Sequence, residues 1–407
     1  MKQHQLNRRG FIKKSVVSGA GSGVLLSTSG LGAQQSPTEL LRAGKIPRRK
    51  LGKTGAEVPI LGMGGSQRFD PQYDRRLHRA LSIGVDYFDT SETYSNGQSQ
   101  KGLGVFVDQI GDRKKIWLTS KVAPRTFRGG GTPPPKHFSS HLEQNLEELR
   151  TDYLDLFFMH GIEDERLLEP DYIRMSEELK KAGKIRFFGF SCHGGNVPAL
   201  LTKAARVGGI DAIMFRYSFR TYGDAALNRA IDTAKEAGIG LIAMKTQASV
   251  PEDHEKVLSF RSNQFTLPQA KLKAVWADDR IDALVSEMEN VQMLMENGTA
   301  AVTPENLAMD EFLQLNRLAA ATAPVYCQGC SHICESRIDG QLKVADTLRY
   351  LMYGDSYGDL DRARERYRRL SEAERRLDGV DLSAAMAACP QGIDIAGRLE
   401  EAHRTLA

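Results

Sequence analysis

The sequence predicts an α/β fold, a (β/α)8 TIM barrel that is followed by a small, mainly helical domain. From about residue 57, short apolar runs rich in β-branched residues alternate with helical patterns. Alternation of this kind is typical of a parallel sheet, in which each strand is followed by a helix. Eight such repeats occupy roughly 240 residues, which is the size of a closed (β/α)8 barrel.

The eight strand candidates are short apolar runs, and helical patterns such as 137–150 and 171–182 lie between them. A doubly wound open sheet is the alternative, but it requires a glycine-rich phosphate turn after its first strand, which residues 62–65 match poorly. The barrel is therefore favoured. The predicted strands are 58–64, 85–90, 116–121, 153–159, 185–191, 211–217, 239–245 and 281–286.

Composition excludes several classes of protein. The chain has 407 residues, of which 41% are hydrophobic, so a disordered chain is excluded. The net charge of +4 comes from residues 1–33, which hold five basic residues and no acid and leave 50 basic against 51 acidic residues elsewhere. Because no clustered basic face remains, we expect no nucleic-acid partner. No apolar stretch approaches ~20 uninterrupted residues, so no membrane-spanning helix is expected.

The N-terminal segment resembles a twin-arginine export signal. Arg8 and Arg9 form the pair, residues 11–13 follow as two hydrophobic residues and a lysine, and 15–33 are weakly apolar. A basic, disordered N-terminus is the alternative. The resemblance implies a bacterial protein that is periplasmic or otherwise exported, with the twin-arginine translocation machinery as a partner. The expected segments are a signal peptide at 1–33, a linker at 34–47, the barrel at 48–300 and a C-terminal cysteine domain at 301–407.

Polar side chains stand at the ends of three consecutive predicted strands. These are Asp89, Lys121 and His160, and Tyr94 lies five residues after Asp89. The chemistry of such barrels sits at the C-terminal strand ends, and neighbouring strands lie ~4.8 Å apart. We therefore expect the four side chains to converge on one spot at the barrel mouth.

The four residues suit proton transfer to a carbonyl oxygen. A tyrosine hydroxyl titrates near ~10, and a neighbouring ammonium group lowers that pKa. Asp89 can hold Lys121 in place beside Tyr94, while His160 can bond the substrate oxygen. This arrangement suits protonation of an alkoxide as hydride arrives at carbon.

Three motifs resemble those of aldo-keto reductases: residues 88–94 (FDTSETY), 118–121 (LTSK) and 155–160 (DLFFMH). The resemblance covers about 48–300. It implies a nicotinamide cofactor, NAD(P)H, laid across the barrel mouth, and hydride transfer to a small aldehyde or ketone. It also implies a catalytic tetrad, formed here by Asp89, Tyr94, Lys121 and His160.

The resemblance also implies cofactor-binding positions, at which this chain departs from the family. Cys192 stands where the family has Asn, and Met214 stands where it commonly has Gln. At the adenosine end, Glu287 and Met293 occupy the basic positions that hold a 2′-phosphate. An acid there repels a phosphate, so NADH is favoured over NADPH. The implied cofactor-binding residues are Ser191, Cys192, Met214, Tyr217, Ser286, Met288, Glu296 and Asn297.

Four cysteines in the C-terminal region have the order of a metal-ligand set: Cys327, Cys330, Cys334 and Cys389. A distant Cys-Pro resembles the last ligand of a bacterial ferredoxin cluster. Two disulfides and a four-cysteine zinc site are the alternatives. Residues 389–395 resemble the tail of ferredoxin-domain aldo-keto reductases, which favours one 4Fe-4S cluster. The charged helical segments 344–353 and 360–377 are expected to form a solvated face.

The leading hypothesis is an exported, NAD(P)-dependent oxidoreductase with Tyr94 as general acid/base. Its 4Fe-4S cluster is an electron relay or a structural element, and a redox partner protein is expected with the relay. The alternative is a non-catalytic redox-sensing or electron-transfer module on the same scaffold. Cys192 and Met214 motivate that alternative, because fold does not determine function.

Overall fold

Eight parallel strands close into the predicted barrel in a computed structural model that describes residues 36–251, 259–339 and 341–407. The predicted signal peptide at 1–33 lies outside the described residues. Strands β3 to β10 follow each other around the barrel in chain order, and β10 closes it against β3. The strands are β1 Arg48–Lys50, β2 Glu57–Pro59, β3 Leu61–Gly64, β4 Tyr87–Asp89, β5 Trp117–Val122, β6 Leu154–Met159, β7 Ile185–Cys192, β8 Ala212–Arg216, β9 Gly240–Met244 and β10 Ala283–Glu287.

The first predicted strand, 58–64, is divided in the structure. Its beginning belongs to β2, which pairs antiparallel with β1 in a small separate sheet, and its end forms β3 of the barrel. The predicted linker at 34–47 holds a short helix, α1 (Pro37–Arg42), whose Leu41 is fully buried. Leu41 packs in the main core, so part of the expected linker belongs to the barrel's outer layer.

Helices follow the barrel strands as the alternation predicts. The segments predicted at 137–150 and 171–182 are helices that begin at Pro135 and Pro170. Proline is well tolerated at the first position of a helix, because the backbone N–H that it lacks would have no partner within the helix there. With these two included, the helices of the barrel after α1 are α2 Arg75–Ser82, α3 Gln98–Ile110, α4 Pro135–Glu148, α5 Pro170–Lys181, α6 Val197–Val207, α7 Ala225–Glu236, α8 Leu267–Trp276 and α9 Val291–Val302.

The barrel has two apolar layers. On β6, Leu156 and Phe158 belong to the inner cluster, while Phe157 and Met159 belong to the larger cluster between strands and helices. This division follows from the two-residue period of a strand. The barrel interior is therefore packed with side chains, and open space is left at the mouth.

The C-terminal region is mainly helical, as predicted, and residues 37–407 form one compact unit. The charged segment predicted at 360–377 forms two helices, because Ser371 is the N-cap of a second helix that begins at Glu372. No helix in the ranges that the structure describes is long and apolar enough to span a membrane. The helices are α10 Met309–Ala321, α11 Ser331–Cys334, α12 Val344–Asp355, α13 Leu360–Arg368, α14 Glu372–Arg375, α15 Ser383–Ala388 and α16 Ile395–Leu406.

Candidate active site

The four residues predicted at the barrel mouth lie together. Lys121, near the end of β5, is fully buried, and its Nζ donates to Asp89 Oδ1 at 2.5 Å. The same Nζ donates to the Thr90 carbonyl at 2.8 Å and to the Tyr94 hydroxyl at 3.3 Å. The ammonium group thus joins a buried carboxylate to a phenol.

Local backbone geometry holds this arrangement. A Cβ at Gly65, which follows β3, would lie 2.3 Å from the Asp89 carbonyl oxygen, so glycine permits the close approach of these two strand ends. Directly after Tyr94, Ser95 and Asn96 have φ angles of 47° and 53°. This left-handed turn sends the chain back into α3 and leaves the tyrosine at the mouth.

His160 completes the group from the end of β6. Its Nδ1 lies 2.8 Å from Ser91 Oγ, and its ring meets the Tyr94 ring edge-on at 5.3 Å between centroids. Ser91 is therefore a positioning residue for His160, which was not predicted from the sequence. Its position within the 88–94 motif was the available signal, but a serine two residues after an aspartate has no distinctive spacing.

Burial dominates the electrostatics of the site. Burial raises the pKa of Tyr94 above its usual value near 10, and the charge of Lys121 only partly opposes that rise. From the sequence, the ammonium group was expected to lower this pKa. The net direction is opposite because the buried phenolate loses its hydration. Tyr94 consequently holds its proton at neutral pH.

The other members of the group also depart from their usual values. Burial lowers the pKa of His160 well below its usual value, and the charges of Lys121 and Arg125 lower it further, so the imidazole is neutral at neutral pH. Burial opposes the charge on Lys121, but Asp89 and Tyr94 raise its pKa above normal. A neutral phenol and a neutral imidazole can thus both bond one oxygen atom.

A cavity of about 850 Å³ opens over these residues, and Asp89, Tyr94 and His160 line it. We call it the mouth cavity. The helices that were expected to be a solvated face, α12 and α13, form part of its wall, so that expectation was wrong. Arg and Glu patterns show which face of a helix is polar, and a polar face suits a cavity as well as bulk water. The C-terminal residues in the wall are Asp346, Arg349, Tyr350, Tyr353, Tyr357, Arg362 and Arg366.

Two of the eight cofactor-binding positions line the mouth cavity, Met214 on β8 and Ser286 on β10. Asn297 stands behind Ser286 and donates to its Oγ at 3.1 Å. Tyr217 is fully buried, and its hydroxyl donates to Asp278 at 2.5 Å. The remaining positions are not among the residues that line the cavity: Ser191, whose Oγ accepts from the Gly161 amide, the buried Cys192 and Met288, and Glu296, which bonds Gln292.

The end of the cavity that was predicted to hold the adenosine of the coenzyme has charges of both signs. Glu287 and Met293 line it as the sequence places them. Burial raises the pKa of Glu287, while the charges of Arg362 and Lys245 oppose the rise. Arg362 comes from α13 and donates to Ser66 Oγ at 2.8 Å. The C-terminal region therefore brings a basic residue to the place where the barrel has an acid.

The four C-terminal cysteines line one small cavity, together with apolar side chains such as Leu348 and Ile393. All four are free thiols. Among the described residues, no three or more His, Cys, Asp and Glu side chains form a group that could hold a metal ion. The four thiols thus share a cavity without being drawn together around one point.

The cysteine-bearing loop touches the barrel next to the mouth cavity. A Cβ at Gly195, after β7, would lie 2.5 Å from Cys330 Cα and 2.6 Å from His332 Nδ1, so glycine allows this contact. Two residues earlier, His193 lines the mouth cavity. Its Nδ1 lies 2.8 Å from Arg349 Nη1. The segment 193–195 therefore runs from the lining of the mouth cavity to the loop that carries Cys330.

The fold and the site define a class of protein: closed (β/α)8 barrels whose mouth carries a tyrosine bonded to a buried lysine. A profile of the Aldo/keto reductase family matches residues 60–286, which is more than half of the chain. The chain belongs to the aldo/keto reductase family. The predictions of the family and of the barrel are confirmed.

Individual relatives agree with this membership. The chain is similar to L-galactose dehydrogenase of Arabidopsis thaliana, with 25% identity over 310 residues, 69% of this chain and 96% of that protein. It is also similar to the aldo-keto reductase yakc [NADP(+)] of Schizosaccharomyces pombe, with 29% identity over 42% of this chain and 52% of that protein. The fold matches an aldo-keto reductase from Bacillus halodurans in its holo form, with 25% identity, a TM-score of 0.57, and coverage of 68% of this chain and 97% of that one.

Proposed function

We propose that this protein transfers hydride between a nicotinamide coenzyme and the carbonyl group of a small aldehyde or ketone. The observation that carries the proposal is the Lys121 ammonium group, which bonds both Asp89 and Tyr94 beside a neutral His160. These groups surround one point of a cavity whose volume is in the usual range for small-molecule sites.

The chain's own residues supply the proton chemistry. When bound, NAD(P)H supplies the hydride. Tyr94 donates its proton to the carbonyl oxygen, and Lys121 stabilises the phenolate that is left. Because Ser91 occupies Nδ1 of His160, the other ring nitrogen is the one that bonds the substrate oxygen and orients it. In the oxidative direction the same groups act in reverse.

Coenzyme choice rests on opposing charges at the adenosine end. Glu287 disfavours a 2′-phosphate, which was the basis for favouring NADH, but Arg362 stands at the same end and favours the phosphate. The name of the yakc relative also includes NADP(+). The proposal is therefore an NAD(P)H enzyme, and steady-state rates with each coenzyme decide between the two.

The proposal includes a 4Fe-4S cluster on Cys327, Cys330, Cys334 and Cys389. Its support is the single apolar cavity that the four thiols line. A zinc ion needs four sulfurs within roughly 3.8 Å of one another, given Zn–S bonds of about 2.3 Å, whereas a cluster spreads its ligands farther apart. The contact of segment 193–195 with the Cys330 loop supports a relay of electrons between the mouth cavity and the cluster, which a redox partner protein would complete.

Replacing Cys389 with serine is expected to remove the brown colour and the iron of protein purified without oxygen. Three thiolates bind a four-iron cluster more weakly than four. Visible absorbance and iron analysis measure the result. Cys192→Ala is the matched control, because Cys192 is a buried thiol of the barrel and should leave iron content unchanged. Equal iron in the Cys389 variant, or zinc in the wild type, would count against the cluster.

The oxidoreductase proposal is tested with anaerobically purified protein. We expect the protein to bind NADH or NADPH and to reduce at least one member of an aldehyde panel with it. The reaction is monitored by the loss of absorbance of the reduced coenzyme. If neither coenzyme binds, the redox-sensing alternative takes the place of the enzyme. Bleaching of the brown chromophore on addition of coenzyme alone would support the relay.

Export is proposed on the N-terminal segment, where Arg8 and Arg9 begin a twin-arginine pattern. The relay is consistent with it, since a coenzyme outside the cytoplasm needs a local route for regeneration. The test is secretion of the full chain in a bacterial host. Dependence on the twin-arginine translocase, lost in Arg8→Lys/Arg9→Lys, is the expected result.

A further inference from the structure

Two arginines from different parts of the chain face the mouth cavity. Arg125 lies in the short 3-10 turn Pro124–Thr126 after β5, and Arg366 lies on α13 of the C-terminal region. Arg125 is exposed within the cavity and Arg366 is half-buried. Both guanidinium groups therefore face the same open space. Partial loss of hydration lowers the pKa of Arg125, and the positive charge of Arg366 lowers it further.

Other arginines of the cavity wall have carboxylate partners. Arg166 pairs with Asp164 at 2.8 Å, and Arg349 pairs with Asp346. Within the described ranges, neither Arg125 nor Arg366 forms an ion pair, and Arg125 Nη2 donates to Thr93 Oγ1 at 2.9 Å. Two guanidinium groups that line one cavity without a counter-charge repel each other, and an anion bound in that cavity would relieve the repulsion.

The positive potential reaches the reacting groups. Arg125, Arg366 and His160 all line the mouth cavity. Burial lowers the pKa of His160 most, and the charges of Arg125 and Arg366 lower it further. The positive potential also extends along α12. Burial alone would raise the pKa of Tyr353, but four cations, Arg366 among them, lower it to about 8.

We propose that Arg125 and Arg366 form a subsite for the anionic group, a carboxylate or a phosphate, of the carbonyl substrate. The proposal rests on the proposed function, because it names the substrate class of that same site. Guanidinium groups bind both anions through paired hydrogen bonds. The C-terminal region thus acts in substrate choice, since Arg366 completes a subsite that the barrel alone would leave with one arginine.

The position of Arg125 favours substrate over coenzyme as the source of the anion. Arg125 follows β5, the strand that carries Lys121, whereas the cofactor positions Met214 and Ser286 lie on β8 and β10. The test must therefore distinguish a substrate anion bound by the two arginines from a coenzyme phosphate bound by them.

The test measures binding of matched alcohols to the full-length, anaerobically purified protein by calorimetry. The pairs are 4-carboxybenzyl alcohol with 4-methylbenzyl alcohol, and glycerol 3-phosphate with glycerol. In the wild type, the charged member of at least one pair is expected to bind about tenfold more tightly or better. The pair that shows this preference identifies the anion as carboxylate or phosphate.

Arg125→Gln and Arg366→Gln are each expected to remove most of that preference and to leave the neutral alcohols unchanged. Arg368→Gln is the matched control, because Arg368 is an exposed arginine of the same helix that does not line the cavity. Arg366→Lys, which keeps the charge, should retain part of the preference and guards against misfolding of the glutamine variant.

Two outcomes would overturn the subsite. In the first, the wild type binds charged and neutral alcohols equally. In the second, the arginine variants bind NADH or NADPH more weakly but bind the charged alcohol as the wild type does. A clear preference for the charged alcohol without any turnover of the matching aldehyde would leave the subsite standing. In that case it is the proposed hydride transfer that fails.

Discussion

Exchange of Tyr94 for phenylalanine is expected to lower kcat for carbonyl reduction by about 10²- to 10⁴-fold, the usual contribution of a general acid. The change removes the proton that the alkoxide needs and leaves the ring, which packs against His160, in place. The lost contact of the hydroxyl is a 3.3 Å hydrogen bond from Lys121. We therefore expect the fold and the affinity for coenzyme to be nearly unchanged.

The measurement is kcat and KM with the best aldehyde of the panel, together with coenzyme binding. Tyr350→Phe is the matched control, because Tyr350 lines the same cavity from α12. For the wild type, kcat for reduction should be level from about pH 6 to 9, since burial raises the pKa of Tyr94 above its usual value. It should fall above that range, as Tyr94 loses its proton. Turnover by the Tyr94 variant within a few-fold of wild type would show that another group is the acid.

Exchange of Lys121 for methionine is expected to have the second large effect, on both rate and stability. It removes the charge that stabilises the Tyr94 phenolate and leaves the Asp89 carboxylate buried without its partner. Breaking a buried ion pair in this way costs about 3–5 kcal/mol in free energy of unfolding. Activity should fall at least as far as in the Tyr94 variant.

The stability loss of the Lys121 variant should depend on pH. Burial already raises the pKa of Asp89, and losing Lys121 raises it further above the unfolded value near ~3.9. Asp89 then ionises more readily in the unfolded state than in the folded state. The variant's loss in free energy of unfolding therefore grows as the pH rises above the unfolded-state pKa of Asp89 and shrinks as the pH falls towards it. Urea unfolding at pH 7 and pH 5 measures this, with Lys101→Met as the exposed control. An equal deficit at both pH values would contradict the account.

The fold was largely predictable because its signals are local. The eight strands appear in the predicted order, since buried parallel strands are continuous apolar runs that are readable from the sequence alone. The division of 58–64 was not predictable. Its residues have the same apolar character throughout, and only pairing with β1 separates β2 from the barrel strand.

The mouth residues were predictable for a similar reason. Asp89, Lys121 and His160 each end a strand, and a parallel barrel brings such ends to one rim. Ser91 was missed because its partner, His160, is distant in sequence. The direction of the Tyr94 pKa was missed because it depends on how deeply the phenol is buried, which a spacing argument does not contain.

The sequence by itself determined the barrel, the polar group at its mouth and the set of four cysteines. Periodicity, strand-end polarity and cysteine spacing are local patterns, and each has a direct physical meaning. Only the tertiary structure decided that α12 and α13 form a wall of the mouth cavity, and that Arg366 and Arg125 both line it. The reason is that a charged helix face is compatible with solvent and with a polar cavity alike. Long-range packing, rather than local propensity, selects between them.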